Sequence, residues 1–243
     1  MLHNRFSDIR NYPWIEEGGE IVKKLIDING KQYVVVARVM LRSEGGEDKQ
    51  GRMYTEMHEI LIPAEEWSVA IVPQLSDILE AKGVTKMDYS MPAIELKTNM
   101  LDEPLPDNWF DDYVKDLISN VAGGKPIALQ DWDVKEKDFL RKLFYCLVCL
   151  PESIARQVSF GTGLANPEEG EVRVAHTRIA RGIRKIGGKW KDVTPGDVTF
   201  GQRYLTSLVL TIGNCKTPRQ IMEAVNNIPQ DIKIEVEQRF NET

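Results

Sequence analysis

Residues 139–164 read FLRKLFYCLVCLPESIARQVSFGTGL, and this stretch carries the clearest structural signal in the chain. Apolar residues recur at helical spacing in its first half, which predicts an amphipathic helix over residues 133–149. The Leu150-Pro151 step ends that helix, because proline lacks the N–H group that a continuing helix would use. A short helix and then a strand near residues 158–164 are predicted to follow.

The N-terminal part of the chain is rich in β-forming residues. Two such runs within residues 20–41 flank Asn29-Gly30, and an Asn-Gly step in this setting is the strongest short signal for a hairpin. The three consecutive valines at residues 34–36 predict a strand that is buried on both faces. Another strand is predicted over residues 54–62.

The remaining elements follow from the same two periodicities. Helices are expected over residues 74–82, 107–121, 199–212 and 217–227, and strands over residues 93–97, 125–129, 171–180 and 183–193. Hairpins and helices mix without strict alternation, which predicts an α+β fold with a mixed or antiparallel sheet and packed helices. We expect a single domain over residues 1–243, or a subdivision near residue 195 with a helical C-terminal extension over 196–243.

Length, charge and cysteine content narrow the class of protein. The chain has 243 residues, enough for a well-buried core, and a net charge of −6. No apolar run approaches the 18 or so residues of a membrane span, and the polar start with acidic residues resembles no targeting signal. Three cysteines are an odd number for a disulfide framework. The sequence therefore predicts a cytosolic protein with no membrane partner.

The cysteines and histidines offer little for chemistry. Cys146 and Cys149 form a CxxC inside an apolar helix without a second ligand pair, which favours core packing over a zinc or redox site. His3, His58 and His176 are interpreted as structural or exposed, with His58 as a candidate general base and His176 as a candidate anion contact. The phosphate-binding loop patterns are absent, so no cofactor and no metal are expected.

One short pattern is typical of metal-dependent nucleases. Asp88 precedes Glu95 and Lys97 on a predicted strand, where two-residue spacing places the last two on one face. Two carboxylates could hold a magnesium ion while the lysine stabilises an attacking water. These three residues are the catalytic candidates of an alternative interpretation.

Positive charge is concentrated in one segment, which we call the basic segment. Residues 172–191 contain seven basic residues and no acidic residue, whereas the rest of the chain has 24 basic and 37 acidic residues. The seven are Arg173, Arg178, Arg181, Arg184, Lys185, Lys189 and Lys191. Such an asymmetry is typical of a contact with an acidic protein partner or with nucleic acid. Stacking of bases would need aromatic residues, and the segment has only Trp190.

Residues 139–164 also resemble a segment of a known family. They carry, in order, Leu150-Pro151, Ile154, Arg156, Val158, Ser159, Phe160, Thr162 and Leu164. The order is similar to that in the N-terminal regions of GTPase-associated proteins of bacterial conflict systems, where a Leu-Pro helix end, an arginine-containing turn and a Ser-Phe-x-Thr strand follow one another. Residues 52–58, RMYTEMH, resemble an earlier segment of that family. The resemblance covers about residues 50–165 and implies an adaptor or scaffold of a bacterial defence complex.

The leading hypothesis is a non-enzymatic interaction protein that binds a protein partner partly through the basic segment. Within it, Arg156, Ser159 and Thr162 are expected to stabilise the fold rather than perform chemistry. A metal-dependent nuclease that uses Asp88, Glu95 and Lys97 is one alternative. A nucleic-acid-binding accessory subunit is the other.

Overall fold

The computed structural model describes residues 20–42, 54–79, 98–124, 127–130, 135–162, 172–177, 185–186, 189–190 and 195–241. Within these ranges the protein has an α+β fold, as the mixed pattern of elements predicts. A mixed sheet is covered by helices, and the C-terminal part is helical. None of the helices in the described ranges is long and apolar enough to cross a membrane.

Six of the described strands form one sheet in the order β3-β2-β1-β5-β6-β4. The strands are β1 (Glu20–Ile28), β2 (Lys31–Arg42), β3 (Tyr54–Pro63), β4 (Ile127–Gln130), β5 (Phe160–Gly161) and β6 (Val174–Thr177). The first three form an antiparallel meander, β5 joins β1 antiparallel, and β6 lies parallel to both β5 and β4. A separate two-stranded ladder pairs β7 (Lys185–Ile186) with β8 (Lys189–Trp190).

The helices are α1 (Leu75–Leu79), α2 (Asp112–Ala122), α3 (Glu136–Val148), α4 (Glu152–Gln157), α5 (Pro195–Ile212), α6 (Pro218–Val225) and α7 (Gln230–Asn241). Two 3-10 helices cover Val69–Gln74 and Thr98–Leu101. The helix predicted from residue 107 begins at Asp112, because the Asp111 carboxylate caps it by accepting the Val114 N–H at 3.0 Å. The strand predicted over residues 93–97 lies outside the described residues.

The predicted hairpin is confirmed residue by residue. Asn29 and Gly30 have φ values of 55° and 78°, the left-handed pair that a tight two-residue hairpin turn requires. The Asp27 carboxylate accepts the Gly30 N–H at 2.9 Å and closes the turn. The valines at residues 34–36 are all fully buried, so β2 is covered on both faces as its sequence predicts.

One hydrophobic core runs from Ile21 on β1 to Phe240 on α7, so the C-terminal helices share the core of the sheet. Gly201 lets α5 cross α2 at close range, because a Cβ there would lie 2.1 Å from the Ser119 carbonyl oxygen. One turn later the buried Tyr204 hydroxyl donates to the Cys149 carbonyl at 2.6 Å. This contact ties α5 to the end of α3.

Candidate functional site

A row of polar residues crosses the sheet at one end. Arg38 on β2 pairs with Ile21 on β1, and Ile21 exchanges hydrogen bonds of 2.9 Å with the backbone N–H and the side-chain oxygen of Thr162. The parallel register of β5 and β6 places His176 next to Thr162. His58 takes the register position opposite Arg38 on β3. Paired strand residues face the same side, so Arg38, Thr162 and His176 lie on the face that α3 covers.

The first turn of α3 closes over this row. Glu136 accepts hydrogen bonds from the Arg38 guanidinium and, at 3.1 Å, from the Thr162 hydroxyl. Arg38 also donates to the Ser76 hydroxyl at 3.3 Å, while its Nε has no partner among the described residues. Buried charges are stable only when they are paired and hydrogen-bonded, and here both carboxylate oxygens of Glu136 are engaged. The arrangement holds α3 on the sheet.

Sequence reasoning overlooked Arg38 and Glu136, although a signal was available. Arg38 follows Val34 and Val36 at two-residue spacing, which places its side chain on the core-facing side of a buried strand. A charge at such a position requires a buried partner. The strand pattern alone does not say that this partner is Glu136, 98 residues away.

The buried lysine Lys23 occupies the next core-facing position on β1 after Ile21. Its side chain is 1% exposed, and its Nζ donates to the carbonyls of Arg156 and Val158 at 2.5 and 2.7 Å. These carbonyls lie at the C-terminal end of α4, where a cation interacts favourably with the helix dipole. Burial lowers the pKa of Lys23 from 10.5 to about 7.

A groove of about 270 Å³ lies beside Lys23 between the start of the first 3-10 helix, α3, α4 and α6, and we call it the Trp67 groove. Its buried lining is apolar and comprises Trp67, Val69, Leu147, Leu150, Ala155 and Val225. Its charged lining is more exposed and comprises Glu152, Arg156, Arg219 and Glu223. Leu101 and Met222, both partly buried, complete its apolar part.

Both arginines at the border of the Trp67 groove form ion pairs. Arg219 holds Asp102 with two hydrogen bonds of 2.6 and 2.9 Å, and this contact lowers the pKa of the Asp102 carboxyl. Arg156 binds Glu152 at 2.8 Å, one turn away on the same helix. The groove therefore combines an apolar interior with a border of exposed ion pairs.

The two cysteines of the CxxC are core residues, as their apolar surroundings predict. Cys146 and Cys149 are both fully buried. Burial raises the pKa of each thiol, and the neighbouring cysteines raise that of Cys149 further. A thiol in this state is a poor nucleophile and a poor metal ligand.

Of the histidines, His176 is buried and its ring packs on Phe139 with the centroids 5.1 Å apart. This position agrees with a structural role and does not favour the anion contact. The backbone of His58 lies on β3, and His3 lies outside the described residues.

Of the seven basic residues of the basic segment, Arg173 is the one whose side chain the structure describes. It packs at 3.9 Å over the Phe240 ring and donates to the Phe240 carbonyl, and burial lowers its pKa to about 10. Arg173 therefore ties β6 to α7. The backbones of Lys185 and Lys189 lie on β7 and β8, while Arg178, Arg181, Arg184 and Lys191 fall outside the described residues.

The nuclease candidates Asp88, Glu95 and Lys97 also lie outside the described residues. Within the described part of the chain, no group of three or more His, Cys, Asp or Glu side chains is arranged to hold a metal ion. The chain matches no family model, no curated protein and no solved structure.

Proposed function

We propose that this chain is a non-enzymatic interaction protein, an adaptor of a bacterial defence complex, and that the Trp67 groove is a contact site for its protein partner. The composition of the groove carries this proposal. Protein interfaces combine an apolar centre with a polar border and are enriched in tryptophan, methionine and arginine. Trp67, Met222, Arg156 and Arg219 supply these residue types in one place.

The contacts of three residues within 139–164, the stretch that resembles the GTPase-associated proteins, support the same proposal. The Arg156 carbonyl binds Lys23, the Ser159 hydroxyl accepts the Arg173 N–H at 3.0 Å, and Thr162 binds Ile21 and Glu136. Each of these residues is engaged in holding the fold. Residues so engaged supply a scaffold on which surface sites are displayed.

The basic segment is proposed as a second contact with the same partner. Arg173 is engaged with Phe240, so this contact is assigned to Arg178, Arg181, Arg184, Lys185, Lys189 and Lys191. Their charge favours an acidic surface on the partner and speeds the encounter with it.

The test is affinity capture of the tagged chain from its native cells at moderate salt, followed by mass spectrometry and detection of nucleic acid. We expect a stoichiometric protein that is lost or weakened at least tenfold with Met222→Glu. Leu210→Glu is the matched control, because Leu210 is an exposed apolar residue on α5, outside the groove lining. Equal capture by the two variants would refute the groove as the contact site.

The basic segment is tested with the triple charge reversal Arg181→Glu, Arg184→Glu and Lys185→Glu. We expect slower association and a weaker complex than with the wild type. Wild-type binding by this variant would refute the basic segment as a contact and would not affect the proposal for the Trp67 groove.

The same preparation distinguishes the adaptor proposal from the two alternatives. Cleavage of nucleic acid in the presence of Mg²⁺ that disappears with Glu95→Ala would replace the adaptor proposal with the nuclease interpretation. Binding of nucleic acid that weakens steeply with salt, in place of a protein partner, would favour the accessory subunit.

A further inference from the structure

Lys23 links the sheet to two walls of the Trp67 groove. Its Nζ binds the Arg156 and Val158 carbonyls at the end of α4 and lies 5.5 Å from the centre of the Trp67 ring. Trp67, Ala155 and Arg156 all line the groove. An ammonium group has three N–H donors, and two of them are used by the carbonyls, while its charge is attracted to the face of the indole.

We propose that Lys23 is a proton-sensitive latch, whose neutral form keeps α4 and Trp67 closed over it and whose ammonium form loosens this wall of the groove. The inference rests on the proposed function only in treating the groove as a contact site. When Lys23 loses its proton to solvent, the amine keeps two N–H donors but loses its charge. These two donors suffice for the Arg156 and Val158 carbonyls, so the closed wall keeps its hydrogen bonds. When Lys23 takes up a proton, the buried charge costs more than its contacts with the carbonyls and the indole return, and opening the wall to water relieves that cost.

The surroundings of Lys23 leave its charge unbalanced. Its register neighbours Val36 on β2 and Phe160 on β5 have no titratable group. On α4 the charged side chains are Glu152 and Arg156, which bind each other. Before the first 3-10 helix, Glu65 and Glu66 are exposed, and that helix has no charged residue.

Because no carboxylate in the described surroundings is paired with Lys23, burial dominates its pKa. Burial lowers that pKa to about 7, so the latch would open and close within the physiological range. A lysine paired with a carboxylate would instead keep its proton to a pH well above that range.

The first measurement is a titration of the full chain with ¹³C-labelled lysine side chains, followed by NMR from about pH 5.5 to pH 10. The Lys23 signal is assigned by its absence in Lys23→Met. We expect a midpoint near pH 7. A midpoint close to that of an exposed lysine, about 10.4, would overturn the latch.

The second measurement follows the indole N–H signal of Trp67 in the same samples, assigned with Trp67→Phe. We expect it to shift with the same midpoint as Lys23 and to lose this titration in Lys23→Met. The indole of Trp109, which packs against Phe110 and Tyr145, is the internal control and should not move in this range. A titrating Lys23 with an unmoved Trp67 signal would also overturn the latch.

The midpoints of the Lys23 and Trp67 signals are both measured on the wild type without a partner. They therefore stand even if Lys23→Met does not fold, in which case the Lys23 signal is assigned by Lys23→Arg. A failed capture experiment would remove the proposed function and leave the titration result unaffected. A normal lysine titration would remove the latch and leave the capture result unaffected.

Discussion

At the scale of single residues, Thr162 joins two parts of the chain that are far apart in sequence. Its hydroxyl accepts the Ile21 N–H at 2.9 Å and donates to Glu136 at 3.1 Å, and its side chain is 1% exposed. An acceptor and a donor are thus satisfied by one buried oxygen. Removing that oxygen leaves the buried Ile21 N–H without its partner and takes one donor from Glu136, whose other oxygen stays bound to Arg38.

We predict that Thr162→Val lowers the free energy of unfolding by about 1–3 kcal/mol, because both hydrogen bonds are lost while the shape is kept. Thr162→Ser is the matched control, since it keeps the hydroxyl and removes only a methyl group. Urea unfolding followed by fluorescence measures both. A Thr162→Val variant as stable as Thr162→Ser would contradict the role of the hydroxyl.

Sequence reasoning reached part of this residue-level structure. It predicted the burial of Cys146 and Cys149, since an apolar helix pattern surrounds them. It did not predict the pairing of Arg38 with Glu136 or the contact of Lys23 with α4. Those contacts join residues 98 and 133 positions apart, and no local pattern encodes which distant group neutralises a buried charge.

At the scale of elements, the tight crossing of α5 over α2 depends on a glycine inside a helix. A Cβ at Gly201 would lie 2.1 Å from the Ser119 carbonyl oxygen and 2.7 Å from its side-chain oxygen. The first of these atoms belongs to the backbone of α2, so the clash cannot be relieved by turning a side chain. The helices would have to separate, and the packing around Tyr204 would loosen with them.

We predict that Gly201→Ala destabilises the protein by roughly 3 kcal/mol, at the upper end of the usual range for overpacking. Gly213→Ala is the control, because a Cβ there meets nothing closer than 3.7 Å and replaces a flexible residue. Its stability should remain within about 0.5 kcal/mol of the wild type or rise slightly. Thermal unfolding of the two variants distinguishes a clash at the crossing of α5 and α2 from a general effect of replacing glycine with alanine.

The elements themselves were largely predictable. The hairpin at Asn29-Gly30 and the helix before Pro151 follow from local turn chemistry and periodicity. The start of α2 was misplaced because Trp109 and Phe110 continue the helical spacing, whereas the Asp111 cap sets the boundary. Which helices pack together was not predictable, because a glycine in a helix does not reveal the partner that approaches it.

At the scale of the whole molecule, the burial of Lys23 makes stability depend on pH. The pKa of Lys23 is about 7 in the folded state and 10.5 in its ordinary state. Between these values the unfolded chain binds the proton and the folded chain does not. The free energy of unfolding therefore rises with pH in this window, by at most about 1.4 kcal/mol per pH unit. Well below pH 7 both states bind the proton, and Lys23 makes no contribution to the pH dependence.

We predict that the stability of the wild type relative to Lys23→Met rises by about 1–2 kcal/mol between pH 7 and pH 8.5. The comparison ends at pH 8.5 because cysteines of the unfolded chain begin to lose their protons there, and this loss would make the free energy of unfolding fall with pH. Urea unfolding of both proteins at about pH 6, 7 and 8.5 measures the difference. Parallel curves for the two proteins would show that Lys23 keeps its proton when folded.

The narrow junction between β1 and β5 has a consequence for how the chain is made. In the described part of the chain these strands pair through Val22 with Gly161 and Lys23 with Phe160, beside the Ile21–Thr162 hydrogen bonds, whereas β1 and β2 pair along nine residues of a local hairpin. During synthesis the hairpin can form at once, but β1 has to wait about 100 residues beyond β3 for its second neighbour. At the usual rates of translation, this delay is on the order of 5–20 seconds. During that time the edge of β1 that β5 will cover has no neighbouring strand. We therefore expect nascent chains halted before residue 160 to depend most on chaperones.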